Sequence, residues 1–92
     1  MYKELLELAA KAAGIECEFM AGKFWSQLKE WNPLTDDGDA LRLAVKLGLG
    51  IEFLMGVVEV DSVYHEAYES DRYAATRRCI VRAAAEIGRG ME

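Results

Sequence analysis

In YKELLELAAKAAG, residues 2–14, apolar positions recur at helical spacing. At about 100° per residue, Leu5, Leu8, Ala9 and Ala12 share a face, with Tyr2 and Ala13 at its edge. Glu7 and Lys11 fall on the wet side at i,i+4 spacing, and Gly14 supplies a C-terminal stop. IECEFM (15–20) then switches to period two: Ile15, Cys17 and Phe19 against Glu16 and Glu18, a half-buried strand. In residues 21–31 the large apolar groups Phe24, Trp25, Leu28 and Trp31 follow neither period well. Their spacing favours a helical turn or a loop over a strand.

Residues 31–49, WNPLTDDGDALRLAVKLGL, open a second helix. Pro33 pushes Asn32 toward extended backbone, Thr35 or Asp36 caps, and Asp37 and Asp39 meet the positive end of the helix dipole. Leu41, Ala44, Val45 and Gly48 form one face, widened by Ala40, Leu43 and Leu47, leaving Asp39, Arg42 and Lys46 as a narrow polar stripe. A helix this apolar is expected to lie centrally, against the sheet and against other helices or a second subunit. GIEFLMGVVEV (50–60) alternates on both sides of Gly56, which marks a hairpin or a bulge. SVYHEAYE adds a further strand, with Val63, His65 and Ala67 on one face and Tyr64, Glu66 and Tyr68 on the other. The last segment, SDRYAATRRCIVRAAAEIG, reads as a helix capped by Ser70 or Asp71. Its buried stripe is Tyr73, Thr76, Ile80, Ala83, Ala84 and Ile87, and Gly88 stops it. The expected fold is α/β (α+β): a small antiparallel or mixed β-sheet packed by about three α-helices, in the order α-β-α-β-β-α. Residues 1–92 form a single domain.

Composition narrows the class. Of the 92 residues, 52% are apolar and 10% aromatic, as suits a folded chain. No apolar run reaches the roughly 18 residues that span a membrane, and the first residues lack the pattern of a secretory signal. The expected location is the cytoplasm. Cys17 and Cys79 sit among core-type residues without a metal-finger partner, and two free thiols fit a reducing compartment. The net charge of −5 argues against broad nucleic-acid binding. Five of the six arginines, however, lie between Arg72 and Arg89.

Two blocks, WNPLTDDGDALRLAVKLGL and YAATRRCIVRAAAEIGRGM, resemble in order and spacing a family of small proteins from tailed phages and prophages, of the phage α-β-α sandwich type. The resemblance implies a phage or prophage gene, its product acting in the host cytoplasm, and supports the fold class. It supplies no catalytic residue.

The candidate chemistry is sparse. Asp36, Asp37 and Asp39 offer oxygen ligands, but D-D-G-D lacks the alternation of a calcium loop, and helix capping explains all three. His65, the only histidine, has Glu66 beside it in sequence, but a strand turns that residue to the opposite face. Neither cysteine looks like an activated thiolate. Arg78, Arg82 and Arg89 share a solvent stripe, and Arg82 has Glu86 at i+4. Arg77 lies nearer the core and is structural through its stem. Trp25 and Trp31 fill the core or reach a surface groove. These features point to a non-catalytic accessory binding protein without a cofactor. It is expected to form a homodimer or larger oligomer, and the phage resemblance implies that it modulates a host or phage protein. A small-molecule or nucleotide-signal binder using Trp31, Asn32, Arg78, Arg82 and Arg89 is the alternative, and a metal-dependent hydrolase using the aspartates a third.

Overall fold

The computed structural model describes residues 2–91. The elements are α1 (Tyr2–Ala13), β1 (Glu18–Met20), β2 (Lys23–Ser26), β3 (Lys29–Glu30), α2 (Asp37–Leu47), β4 (Ile51–Leu54), β5 (Val57–Val60), β6 (Tyr64–Ala67) and α3 (Arg72–Gly90). The class is α+β, as expected, but the order is α-β-β-β-α-β-β-β-α. There are two sheets, β1-β2-β3 and β4-β5-β6, each antiparallel throughout. No helix among the described residues is long and apolar enough to cross a membrane.

The added strands come from residues 21–31, where the spacing favoured a turn or loop. β1 and β2 are joined through Ala21 and Gly22, β2 and β3 through Gln27 and Leu28, and all four residues have positive φ. Two such residues in succession match the right-handed twist of a two-residue hairpin. Phe24 points inward and is buried, as is Trp31 just beyond β3, while Leu28 at the turn tip is fully exposed. The strand read at 15–20 is ordered as β only from Glu18. Ile15 and Cys17 still pack against the core ahead of it.

The central place belongs to α3, which touches α1, α2, β5 and β6. Its buried residues are mostly small: Ala75, Cys79, Ala83, Ala84, Ala85 and Gly88, with Ile80 and Val81. Tyr73 and Ile87, read as core, are 71% and 41% exposed. Gly88 does not end the helix but lies within it, because α1 crosses there at backbone distance. A Cβ on Gly88 would sit 2.0 Å from the Leu8 carbonyl oxygen, so only glycine permits the crossing. α1 presents Leu6, Leu8, Ala9, Ala10 and Ala13, a face rotated from the expected one. Lys3 and Glu7 form an i,i+4 ion pair on this helix at 3.1 Å.

α2 packs on α3 and α1, with Asp39, Ala40, Leu43 and Ala44 buried. Leu41 and Val45, assigned to its buried face, are instead 59% and 71% exposed. Asp39, assigned to the polar stripe, is 6% exposed. The rotation is possible because Asp39 finds polar partners inside, described below. In the second sheet the alternation holds: Val58 and Val60 are fully buried, and Tyr64 and Glu66 face α3 while His65 faces out. Gly56 (φ +80) closes the β4–β5 hairpin.

The crossing at Gly88 sets a sharp expectation. Gly88→Ala should lower unfolding free energy by about 1–3 kcal/mol or more, since the methyl group must displace backbone. Gly90→Ala, which meets nothing within 4 Å, should be neutral or stabilise by up to about 1 kcal/mol. Urea denaturation of both variants checks this; equal responses would refute a backbone-limited crossing.

Candidate functional site

Residues 31–39 fold as a self-contained cap. The Trp31 amide donates to the Phe24 carbonyl (2.9 Å). The Asn32 amide donates to Asp39 Oδ2 (2.9 Å), and Asn32 Oδ1 accepts from the Leu34 amide (2.9 Å). Asp36 is the N-cap: its carboxylate accepts from the Asp39 amide at 2.8 Å. Asp39 Oδ1 accepts from Arg42 (2.8 Å). Asp37 pairs with Arg77, whose Nε also donates to the Leu34 carbonyl (2.8 Å). Each aspartate is therefore committed to a backbone amide or a guanidinium. Among the described residues no group of three or more potential ligands is placed to hold a metal ion.

The arginine stripe is also engaged. Arg78 Nε donates to Glu66 Oε1 (3.1 Å) and Arg82 Nη1 to Glu66 Oε2, so one carboxylate on β6 clamps two guanidinium groups of α3. Arg82 Nη1 donates further to the His65 carbonyl (3.0 Å). Glu86, the expected partner of Arg82, binds Arg89 instead (3.1 Å). Partial burial of Glu66 pushes its carboxyl upward. The hydrogen bonds and charges of Arg82 and Arg78 outweigh that and hold it below its usual value. Trp31 lines a cleft of about 690 Å³ with Trp25, Cys17 and Arg42. Asn32 lines a smaller one, about 180 Å³, with Asp36 and Asp39. None of Arg78, Arg82 and Arg89 reaches either cleft, so the five residues singled out as ligand-binding do not converge.

His65 Nε2 lies 2.7 Å from Glu59 Oε2, its cross-strand neighbour on β5. Among the described residues no serine, threonine or cysteine is hydrogen-bonded to that pair. Cys79 is fully buried, its thiol donating to the Tyr64 carbonyl at 3.3 Å. Burial pushes that thiol upward in pKa, with the Glu66 charge adding to the effect. For Cys17, burial again acts first and Asp39 second, in the same direction. Both cysteines are free, and a raised pKa disfavours the thiolate in each.

The surface that converges was not singled out from the sequence. Leu41 of α2, Phe53 of β4 and Tyr73 of α3 are 59%, 63% and 71% exposed and line one groove of about 520 Å³. Ile51 and the buried Tyr68 and Ile80 continue its apolar wall, and Asp37, Arg72 and Arg77 supply its charges. Arg72 stacks over the Tyr68 ring at 5.1 Å, and Arg77 is held by Asp37. Nothing in the sequence signals this groove: Leu41 and Tyr73 read as buried positions, and both their exposure and their convergence with Phe53 need the fold. No protein-family model, curated protein or solved structure matches the chain.

The Glu66 clamp predicts a pH signature. Glu66→Gln should cost about 1–2 kcal/mol at pH 7. Because the folded carboxyl titrates below its ordinary value of 4.5, its stabilisation is complete above that value and fades as pH falls through the folded-state value. The gap in unfolding free energy between wild type and variant should therefore stay level down to about pH 5 and close on further acidification. A gap that widens in acid would contradict the clamp.

Proposed function

We propose that the protein is a non-catalytic binding module that engages another polypeptide through the groove between α2, α3 and β4. One observation carries this reading: three large apolar side chains from three separate elements stand more than half exposed around a single groove. Burying them on a partner would recover apolar area that folding leaves in water. The charges at the groove are already paired or stacked within the chain, which suits a partner that brings apolar surface. A nucleotide binder draws less support, since Arg78, Arg82 and Arg89 are each engaged by a carboxylate. Hydrolysis through the aspartates draws none, because each one serves the cap of α2 or an arginine.

Self-association is the second reading, favoured by Val45. It is 71% exposed and lies one helical turn from Leu41 on α2, so the apolar surface extends along that helix. The resemblance of the sequence to phage proteins suggests the setting: an accessory factor acting on a host or phage protein.

A photoreactive phenylalanine analogue at position 53 should form a covalent adduct with a protein when the chain is expressed in a bacterial cell. The same analogue at position 63, exposed beyond β5, should not. Adduct mass separates a second copy from another chain. Leu41→Ser, Phe53→Ser or Tyr73→Ser should reduce the adduct formed from a reactive group placed elsewhere at the groove. Each substitution should shift stability by only about 0.5 kcal/mol, as is usual for exposed positions. Equal labelling from positions 53 and 63 would defeat the proposal.

A further inference from the structure

The groove is bordered by a sheet edge, and the two edges of that sheet are treated differently. Gly50 and Asp61 form a hydrogen-bonded pair at the base of the β4–β5 ladder, the Asp61 amide donating to the Gly50 carbonyl at 2.8 Å. Antiparallel ladders alternate bonded and non-bonded pairs. Glu52↔Glu59 and Leu54↔Val57 are therefore bonded pairs, and Ile51 and Phe53 turn both N–H and C=O away from β5. β4 is the outer strand of its sheet, so these groups form an open edge. On the opposite edge, the same alternation turns the His65 carbonyl outward, and Arg82 covers it. An uncovered edge is a template for another strand.

Side chains on β4 define what that strand would carry. Ile51 and Phe53 share the face that lines the groove. Glu52 points to the other face, is exposed, and has no hydrogen-bond or ion-pair partner among the described residues. Its neighbour across the ladder is a second carboxylate, Glu59, already taken by His65. Resting on the groove reading above, we infer that β4 accepts an antiparallel strand from another protein with the pattern apolar–basic–apolar. The two apolar residues lie opposite Ile51 and Phe53 and drop into the groove beside Leu41 and Tyr73. The basic residue lies opposite Glu52, and strand addition takes the free N–H and C=O groups of Ile51 and Phe53. A second copy fits this edge poorly. Pairing Ile51 with Phe53 across a two-fold axis sets Glu52 directly against its own copy, a like-charge cross-strand pair. The net charge of −5 adds to the preference for a basic partner.

The probe is a fluorescein-labelled peptide, Ser-Thr-Val-Lys-Val-Thr-Ser, titrated with the full chain at low salt and followed by anisotropy. Replacing its lysine by glutamate should weaken binding about tenfold, and Glu52→Lys in the protein should reverse that preference. N-methylation of both valines, whose amides face β4, should abolish binding, whereas N-methylation of the lysine, whose amide faces away, should not. Failure of the lysine peptide to saturate, indifference to charge, or indifference to valine methylation overturns the inference. So does a dimer in sedimentation whose Ile51 and Phe53 amides are protected from hydrogen exchange, since a second copy would then occupy the edge. If cross-linking from position 53 succeeds while the peptide fails, the groove reading stands and strand addition falls. If both fail, the groove reading falls as well.

Discussion

The approach of α1 to α3 at Gly88 governs the rest of the molecule. The missing side chain lets the Leu8 backbone lie where a methyl group would otherwise be, and the alanines along α3 extend that closeness. Small residues contribute little apolar area one by one. They allow two helices to share a short separation over which many dispersion contacts form. With α1 seated, Leu6, Ala9, Ala10 and Ala13 close one side of the core. The remaining sides of α3 are left for α2, β5 and β6. A glycine inside a helix costs about 0.5–1 kcal/mol relative to alanine, and the packing it permits offsets that.

The three helices and the alternation of β5 and β6 were legible in the sequence, because each carries its own local signal; at Gly56 the sequence left a hairpin and a bulge open, and the hairpin is what forms. Asp36 marks the start of α2, and Glu52 and Glu59 mark outward positions of the second sheet; Gly48, read as part of an apolar face, is instead the left-handed C-cap of α2. Of the first sheet only β1, inside the strand read at 15–20, was legible. β2 and β3 are too short to show a period, and Gln27 and Leu28, which turn the second hairpin with φ of +53° and +68°, are not turn-forming residues by type. The helical faces were partly misjudged for a different reason. Counting apolar residues treats alanine and tyrosine alike, yet α3 buries its alanines and exposes Tyr73. A buried carboxylate such as Asp39 looks like a surface residue until its partners, the Asn32 amide and Arg42, are in place.

Site residues were harder to find, because their meaning lies in long-range pairing. Arg78 and Arg82 form a believable solvent stripe on a helical wheel, and nothing near them in sequence reveals that Glu66 holds both. Conversely, Leu41, Phe53 and Tyr73 belong to segments with unrelated periods. The cap of α2 was a partial exception: Thr35 or Asp36 was expected and Asp36 is the N-cap, since an N-cap is a matter of a few consecutive positions, whereas the pairing of Asp37 with Arg77 and the burial of Asp39 needed the fold.

The position of α3 in the chain bears on how the protein is made. Every other helix and the second sheet rest on it, and it follows all of them in sequence. While the chain is being synthesised, the apolar face of α1 and the inner residues Val58 and Val60 have no surface to cover them until the last nineteen-residue helix has emerged. The hairpins can form earlier, but short isolated strands are marginal in water. A nascent chain thus carries this incomplete core in the open until α3 has been made. This is the period in which a holding chaperone would matter most, and in which exposed strand edges would be most prone to mispairing.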